Sequence, residues 1–145
     1  MKFIYTSFAL LLFLTVSGSG LYFRKPTKVA VAPALTKNLE YDSGKPSIRQ
    51  VYYSNLDKLA AAIKAEDYAV SLRGHADSVG TYKYNWVLSD HRAVSVKKYL
   101  VSKGVKEDRI VTTPFGSTIP IASNKTAAGR QKNRRVEVEL KKISK

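Results

Sequence analysis

The sequence contains no cysteine. This absence excludes disulfides, thiol catalysis, cysteine-ligated metal sites and a lipid anchor on an N-terminal cysteine. Histidine is almost as scarce, because His75 and His91 are the only two, and no third ligand stands at a spacing that would complete a metal site with His75 and Asp77. No nucleophile motif surrounds Ser89, so serine catalysis is not expected. The sequence therefore predicts a protein without catalytic activity, metal or cofactor.

Acidic residues are also few, with 11 Asp and Glu against 25 Lys and Arg, which gives a formal net charge of +14. Such an excess is compatible with nucleic acid, an anionic membrane surface or an acidic polymer, and charge alone does not choose among them. The length of 145 residues predicts one domain with a core of its own.

The first residues have the layout of an export signal. Met1 and Lys2 precede an apolar run at residues 8–16 and the small residues Ser17 to Gly20, which predicts cleavage near Gly18 or Gly20. Residues 3–23 are also long enough to cross a membrane. Residues 1–23 are therefore a signal peptide or an N-terminal membrane anchor. An exported domain would not meet chromosomal nucleic acid, and no stacking motif accompanies the tyrosines, so nucleic acid is not an expected partner.

The rest of the chain divides into a tether and a domain. Residues 24–37 contain two prolines and several positive charges, which is typical of a solvated linker, and residues 38–145 form the predicted domain. Hydrophobic periodicity predicts the order β-α-β-α-β-β. This order favours an α/β (α+β) sandwich, in which a small four-stranded mixed sheet packs against two main helices. The predicted strands are residues 38–43, 68–74, 109–115 and 134–141, and the predicted helices are residues 50–65 and 83–103.

One constellation has the chemistry of a binding site. Asp77 follows a predicted strand, whereas Asn85 and Arg92 lie on the next helix, only about 20° apart around its axis. A carboxylate, an amide and a guanidinium can therefore converge near backbone N–H groups at the helix start. A carboxylate accepts hydrogen bonds from an ammonium, and the planar fork of arginine suits a carboxylate. The expected ligand is a zwitterionic amino-acid end.

The same residues belong to a longer pattern that resembles the OmpA-like peptidoglycan-binding domain family over roughly residues 36–142. The pattern departs from the family at Ala76, Ser43 and Pro114, which stand where a threonine, an aromatic residue and a glycine are usual. Its matching elements are Gly74-His75-Ala76-Asp77, Leu88-Ser89-x-x-Arg92-Ala93-x-x-Val96-x-x-x-Leu100, Pro120-Ile121-Ala122-x-Asn124 and Asn133-Arg134-Arg135-Val136-Glu137.

The resemblance implies a ligand and a role. Asp77 and Arg92 would bind the diaminopimelate end of a peptidoglycan stem peptide, and the domain would tether the bacterial cell envelope to the wall from the periplasm, associated with the outer membrane or held by its N-terminal helix. Supporting roles fall to Asn85 and to the loop residues Ser78, Val79, Gly80 and Thr81. Arg130, Asn133 and Arg134 form a second polar cluster, either beside the site or as a solvated basic turn.

Two other functions compete with wall tethering. One is a membrane-anchored accessory subunit of an envelope motor or transport complex, although residues 3–23 lack the ionisable residue expected of a proton-conducting span. The other is a basic binder of polyanions such as lipopolysaccharide or nucleic acid, whose affinity would fall steeply with salt.

Three further expectations concern packing. Trp86 is expected to pack near the core stripe of its helix. Val87, Val94 and Val101 recur every seven residues and predict either a second buried contact or a dimer seam, which leaves the oligomeric state open. Loss of Asp77 or Arg92 is expected to leave the fold intact.

Overall fold

The structure, a computed structural model, describes residues 33–143. The predicted signal or anchor at residues 1–23 and most of the predicted linker lie outside these residues. Within residues 33–143, no helix combines the length and apolar character needed to cross a membrane. The end of the predicted linker belongs to the domain, because Pro33–Thr36 form a 3-10 turn and Leu35 packs against the core.

Four strands and three helices make up the described domain. Each strand and each long helix matches an element that hydrophobic periodicity predicts. The helices are α1 (Tyr53–Ala65), α2 (Tyr82–Ser102) and α3 (Ala127–Asn133). The strands are β1 (Leu39–Glu40), β2 (Tyr68–Gly74), β3 (Ile110–Pro114) and β4 (Arg135–Lys142). Shorter 3-10 turns cover Gln50–Tyr52 and Glu107–Arg109.

The strands form one mixed sheet in the order β1-β4-β2-β3. β2 runs parallel to β3 and antiparallel to β4, and β1 is antiparallel to β4. The parallel pair requires a crossover, which α2 provides, so the loop after β2 leads directly into the start of α2. This confirms the predicted fold class, and it brings Asp77 to the end of the sheet from which α2 begins.

One face of the sheet carries the core. The register aligns Val70 and Leu72 of β2 with Ile110 and Val138 of the neighbouring strands, and all four side chains are buried. Their alternation with Ser71 follows from the two-residue period of a strand. The buried residues of α1 and α2 cover this face. They are Leu56, Leu59, Ala60 and Ile63 of α1 and Ala93, Val96 and Leu100 of α2.

The structure corrects three expectations. The segment between β3 and β4, where the predicted order β-α-β-α-β-β has no helix, contains α3. Trp86 does not pack in the core, because 39% of its surface is exposed. Val87 and Val101 are also exposed, at 45% and 37%, so the valine heptad makes no second buried contact in the described domain.

Candidate functional site

The loops at one end of the sheet enclose a cavity of about 130 Å³. Asp77, Asn85 and Arg92 all line it, as the sequence predicts for a converging carboxylate, amide and guanidinium. The remaining lining comes from the turn after β1, the loop after β2, the first turns of α2 and the residue after α3. These further residues are Ser43, Gly44, Val79, Gly80, Tyr84, Leu88 and Arg134.

Arg92 is fully buried and joins α2 to two other chain segments, the turn after β1 and the loop after β2. Its Nε donates to the carbonyl oxygen of Lys45 at 3.0 Å, Nη1 to that of His75 at 2.9 Å and Nη2 to that of Asp42 at 3.1 Å. Burial lowers the pKa of Arg92 to about 10, so the guanidinium stays charged at neutral pH. Because a guanidinium has five N–H donors, one N–H on each terminal nitrogen remains for a ligand.

Asp77 is held between a loop and an arginine. Its Oδ1 accepts a hydrogen bond from the backbone N–H of Val79 at 3.0 Å, and its Oδ2 pairs with Nη1 of Arg134 at 2.8 Å. Arg134 is fixed in turn, since its Nε donates to the carbonyl oxygen of Tyr41 at 3.1 Å. The carboxylate is therefore immobile, and each oxygen keeps room to accept another donor.

Asn85 connects the helix with the same loop. Its amide nitrogen donates to the carbonyl oxygen of Val79 at 3.0 Å. Within residues 33–143, no group donates to its amide oxygen, which can therefore accept a hydrogen bond from a ligand. The cavity thus presents acceptors from Asp77 and Asn85 and donors from Arg92, the combination that a zwitterion requires.

The predicted loop residues divide into two groups. Val79 and Gly80 line the cavity, and Gly80 adopts φ +99°, a conformation that favours glycine. Ser78 and Thr81 do not line it. Thr81 instead caps α2 by accepting a hydrogen bond from the N–H of Tyr84 at 3.2 Å, and the N–H of Ser78 donates to Asn124 at 3.3 Å.

Of the second predicted cluster, Arg130, Asn133 and Arg134, only Arg134 lines the cavity. Arg134 enters the cavity, whereas Arg130 and Asn133 hold the loop before α3. Nη1 of Arg130 donates to the carbonyl oxygen of Asn124 at 2.9 Å. Asn133 is buried, accepts from the N–H groups of Ile121 and Ala122, and donates to Asn124 at 2.9 Å. Since Asn124 accepts from Ser78, these residues support the site indirectly.

Four residues that line the cavity are not among the predicted site residues, namely Ser43, Gly44, Tyr84 and Leu88. Ser43 falls within the first predicted strand, residues 38–43, but β1 ends at Glu40 and Ser43 lies in the following turn. The Asp-Ser-Gly sequence is a turn signal, and Gly44 adopts φ +65° as such a turn requires. Tyr84 has no comparable signal in the sequence.

His75 lies behind the site with a buried and unpaired side chain. Neither ring nitrogen makes a hydrogen bond, and the ring stacks on Phe115 with centroids 5.2 Å apart. Burial and the charge of Arg135 lower the pKa of His75 to about 4, although Glu137 at 3.6 Å opposes part of this shift. The imidazole is therefore neutral in the folded domain at neutral pH.

We expect the domain to lose stability as the pH falls from about 6.5 to about 4. In this window the unfolded chain binds a proton at His75 that the folded chain does not bind, which favours unfolding by on the order of 3 kcal/mol. Urea denaturation at several pH values measures how the free energy of unfolding changes with pH. His75→Gln is expected to flatten this dependence, and an unchanged slope in that variant would mean that other groups cause the pH dependence.

Comparison with known proteins identifies the family. The sequence profile of the OmpA family matches residues 40–134. Outer membrane protein A of Bordetella avium is 43% identical over 117 residues, which cover 80% of this chain and 60% of that protein. The peptidoglycan-binding protein ArfA of Mycobacterium tuberculosis is 46% identical over 87 residues, 59% of this chain and 27% of that protein.

A solved structure shares the fold. The peptidoglycan-associated lipoprotein from Burkholderia pseudomallei superimposes with a TM-score of 0.71 at 24% identity, covering 72% of this chain and 90% of that chain. The chain belongs to the OmpA family, which confirms the resemblance seen in the sequence. It spans less than two thirds of the two sequence relatives.

Proposed function

We propose that this protein binds peptidoglycan without catalysing a reaction and that its cavity receives the diaminopimelate end of a stem peptide. The observation that carries the proposal is the convergence of Asp77, Asn85 and Arg92 in one cavity. Family membership and the names of the relatives, two of which mention peptidoglycan, support it.

Each group of the zwitterion has a complementary partner in this proposal. The ligand ammonium donates to Asp77 and to the amide oxygen of Asn85, while the ligand carboxylate accepts from the free N–H groups of Arg92. Because the cavity holds about 130 Å³, it admits only the end of one residue. Drug-sized ligands occupy pockets of about 300 Å³ or more. The rest of the stem peptide then lies on the surface.

The proposal includes a location in the cell envelope, where the domain tethers an envelope surface to the wall. The relatives named as an outer membrane protein and as a peptidoglycan-associated lipoprotein support this location. Residues 1–23 would then export or anchor the chain, and the residues up to Pro33 would act as the tether.

Asp77→Asn is expected to weaken binding to purified peptidoglycan about ten- to a hundredfold. The variant keeps an oxygen for the N–H of Val79 but loses the charge that an ammonium requires and that pairs with Arg134, and a hydrogen bond to a charged group contributes about 1.5–3 kcal/mol. Sedimentation with insoluble peptidoglycan over a range of protein concentrations measures the affinity.

The matched control is Asp108→Asn. Asp108 is exposed and precedes β3, so it lies at the opposite end of the sheet from the cavity, and its loss removes the same charge without affecting the site. If both variants sediment as the unchanged protein does, the assignment of Asp77 fails. Binding that falls steeply with salt and does not respond to Asp77→Asn would favour the polyanion binder instead.

A further inference from the structure

Two exposed aromatic side chains lie on the first turns of α2, close to the cavity. Tyr82 is 62% exposed and Trp86 is 39% exposed, and their ring centroids are 5.8 Å apart at an interplanar angle of 30°. Residues four apart on a helix project in the same direction. Tyr82 and Trp86 therefore form a continuous aromatic surface, here called the aromatic platform.

The aromatic platform adjoins the cavity. Tyr82 precedes the cavity-lining Asn85 by three residues, a spacing that places the two side chains side by side on α2, and Val79, which also lines the cavity, is 61% exposed in the preceding loop. On its other side the backbone of Gly116 lies against the backbone of Trp86. Ile119 and Ile121, in the loop that continues from Gly116, are 47% and 53% exposed. Clustered apolar surface beside a polar cavity is typical of a ligand-binding site.

A carboxylate lies one helical turn beyond the aromatic platform. Asp90 follows Trp86 by four residues, so it lies on the same side of α2. Within residues 33–143 its side chain makes no hydrogen bond or ion pair, although it is half-buried. It is therefore available as an acceptor for hydroxyl groups.

We propose that the aromatic platform binds a pyranose ring of the glycan strand to which the stem peptide in the cavity is attached. A pyranose has an apolar face of C–H groups, which suits the negative face of an aromatic ring, and its hydroxyls can donate to Asp90. The inference rests on the proposed function, because the stem peptide brings the sugar to this surface.

The dimensions fit this arrangement. The cavity of about 130 Å³ is too small to hold a sugar beside the end of the stem peptide, so the sugar lies outside it. About three extended residues of stem peptide reach at most about 10 Å. The Cβ atoms of residues three apart on a helix are about 5–6 Å apart, so Tyr82 is within that reach of Asn85, and the ring of Trp86 lies 5.8 Å from that of Tyr82.

Trp86 is the only tryptophan in the chain, which makes it a specific reporter. Titration with a muramyl disaccharide carrying a stem peptide is expected to change the tryptophan emission, because the indole leaves water when the sugar covers it. The same stem peptide without sugar is expected to bind the cavity, as isothermal titration calorimetry measures, with a smaller change in emission.

Trp86→Ala is expected to weaken binding of the disaccharide peptide about three- to tenfold, the equivalent of one aromatic contact, and to leave binding of the sugar-free peptide unchanged. Trp86→Phe keeps a ring and is expected to restore part of the affinity. Val87→Ala is the matched control, since Val87 is 45% exposed, follows Trp86 and does not belong to the platform. Circular dichroism melting verifies that each variant is folded.

The outcomes separate this inference from the proposed function. If the unchanged protein does not bind the sugar-free peptide, the proposed function fails. If it binds that peptide but Trp86→Ala affects both ligands equally or neither, the aromatic platform does not bind glycan. An emission change with anionic lipid vesicles but none with the disaccharide peptide would also overturn the inference and assign the platform to a membrane.

Discussion

Arg92→Ala is expected to destabilise the domain by about 3–5 kcal/mol as well as to abolish ligand binding. The guanidinium is fully buried and donates to the carbonyl oxygens of Asp42, Lys45 and His75. Alanine would leave the buried carbonyl of His75 without its donor, which costs about 1–3 kcal/mol, and would also remove the bonds to the part-buried carbonyls of Asp42 and Lys45 and the packing of a large, fully buried side chain. Part of this cost is recovered where water enters from the cavity. Urea denaturation measures the change.

Arg92→Lys tests whether geometry or charge matters. Lysine keeps the positive charge, but its single ammonium cannot imitate the planar fork that joins two chain segments, so most of the lost stability is not expected to return. An alanine variant that unfolds at the same urea concentration as the unchanged protein would show that Arg92 has no structural role.

The backbone contacts of Arg92 argue against the expectation that its loss leaves the fold intact, and the urea experiment decides between the two predictions. The sequence identifies Arg92 as a possible ligand for a carboxylate, but the partners it has in the folded chain are backbone carbonyls, which every residue carries and no sequence pattern marks. Lost binding in Arg92→Ala would therefore have two causes, the missing contact with the ligand and the destabilised fold. Asp77→Asn is the cleaner test of the site.

Most of the fold could be predicted because its elements have regular hydrophobic periods. The period of two residues predicts a strand at residues 68–74, and β2 is observed at Tyr68–Gly74. The helix predicted at residues 83–103 is observed at Tyr82–Ser102, one residue earlier at each end. Gly104 follows the predicted helix and adopts φ +89°, the left-handed conformation in which many helices end. β1 is shorter than predicted, since only Leu39 and Glu40 pair with β4.

α3 could not be predicted from periodicity. It has seven residues, and the two that it buries are Gly129 and Asn133. It therefore packs through its backbone and an amide instead of an apolar stripe. The available signal was its cap, since the hydroxyl of Thr126 accepts a hydrogen bond from the N–H of Gly129 at 3.0 Å.

The error at Trp86 has a similar physical basis. Large apolar residues are often buried, but much of any protein surface is apolar, so size alone does not decide the position of one residue. Its neighbours on α2 that are buried include Asn85, Leu88 and Ser89, and two of these three are polar. The buried side of the first turns of α2 therefore serves the site as well as the core.

In the site, too, the contacts between residues close in sequence could be predicted, whereas the contact between distant residues could not. Asn85 and Arg92 share one helix, and Asp77 lies in the loop before it, so their convergence could be predicted. Arg134 pairs with Asp77 across 57 residues, which depends on the pairing of β4 with β2 and on the end of α3. The sequence placed Arg134 only in a second cluster.

Gly74→Ala is expected to destabilise the domain by about 3 kcal/mol or more. A Cβ atom at this position would lie 1.9 Å from the carbonyl oxygen of Ser89 and 2.7 Å from its carbonyl carbon. These are backbone atoms in the middle of α2, so no side-chain rotation relieves the contact, and overpacking of this kind typically costs about 1–3 kcal/mol or more. To accept the Cβ atom, the end of β2 and α2 must move apart.

The matched control is Ser71→Ala on the same strand. Ser71 points to the opposite face of the sheet, so the substitution does not affect the contact with α2, and its urea midpoint is expected to stay close to that of the unchanged protein. An equal midpoint for Gly74→Ala would mean that β2 and α2 can separate without loss of packing.

The same substitution is expected to weaken ligand binding, even in conditions where the variant stays folded. Gly74 precedes the loop that carries Asp77, while Ser89 lies between Asn85 and Arg92 on α2. A displacement of α2 from β2 therefore changes the distance between the carboxylate and the guanidinium that together hold the zwitterion. Because alanine at position 74 adds no polar group to the cavity, weakened peptide binding in folded Gly74→Ala would show that this close contact between strand and helix sets the spacing of the site.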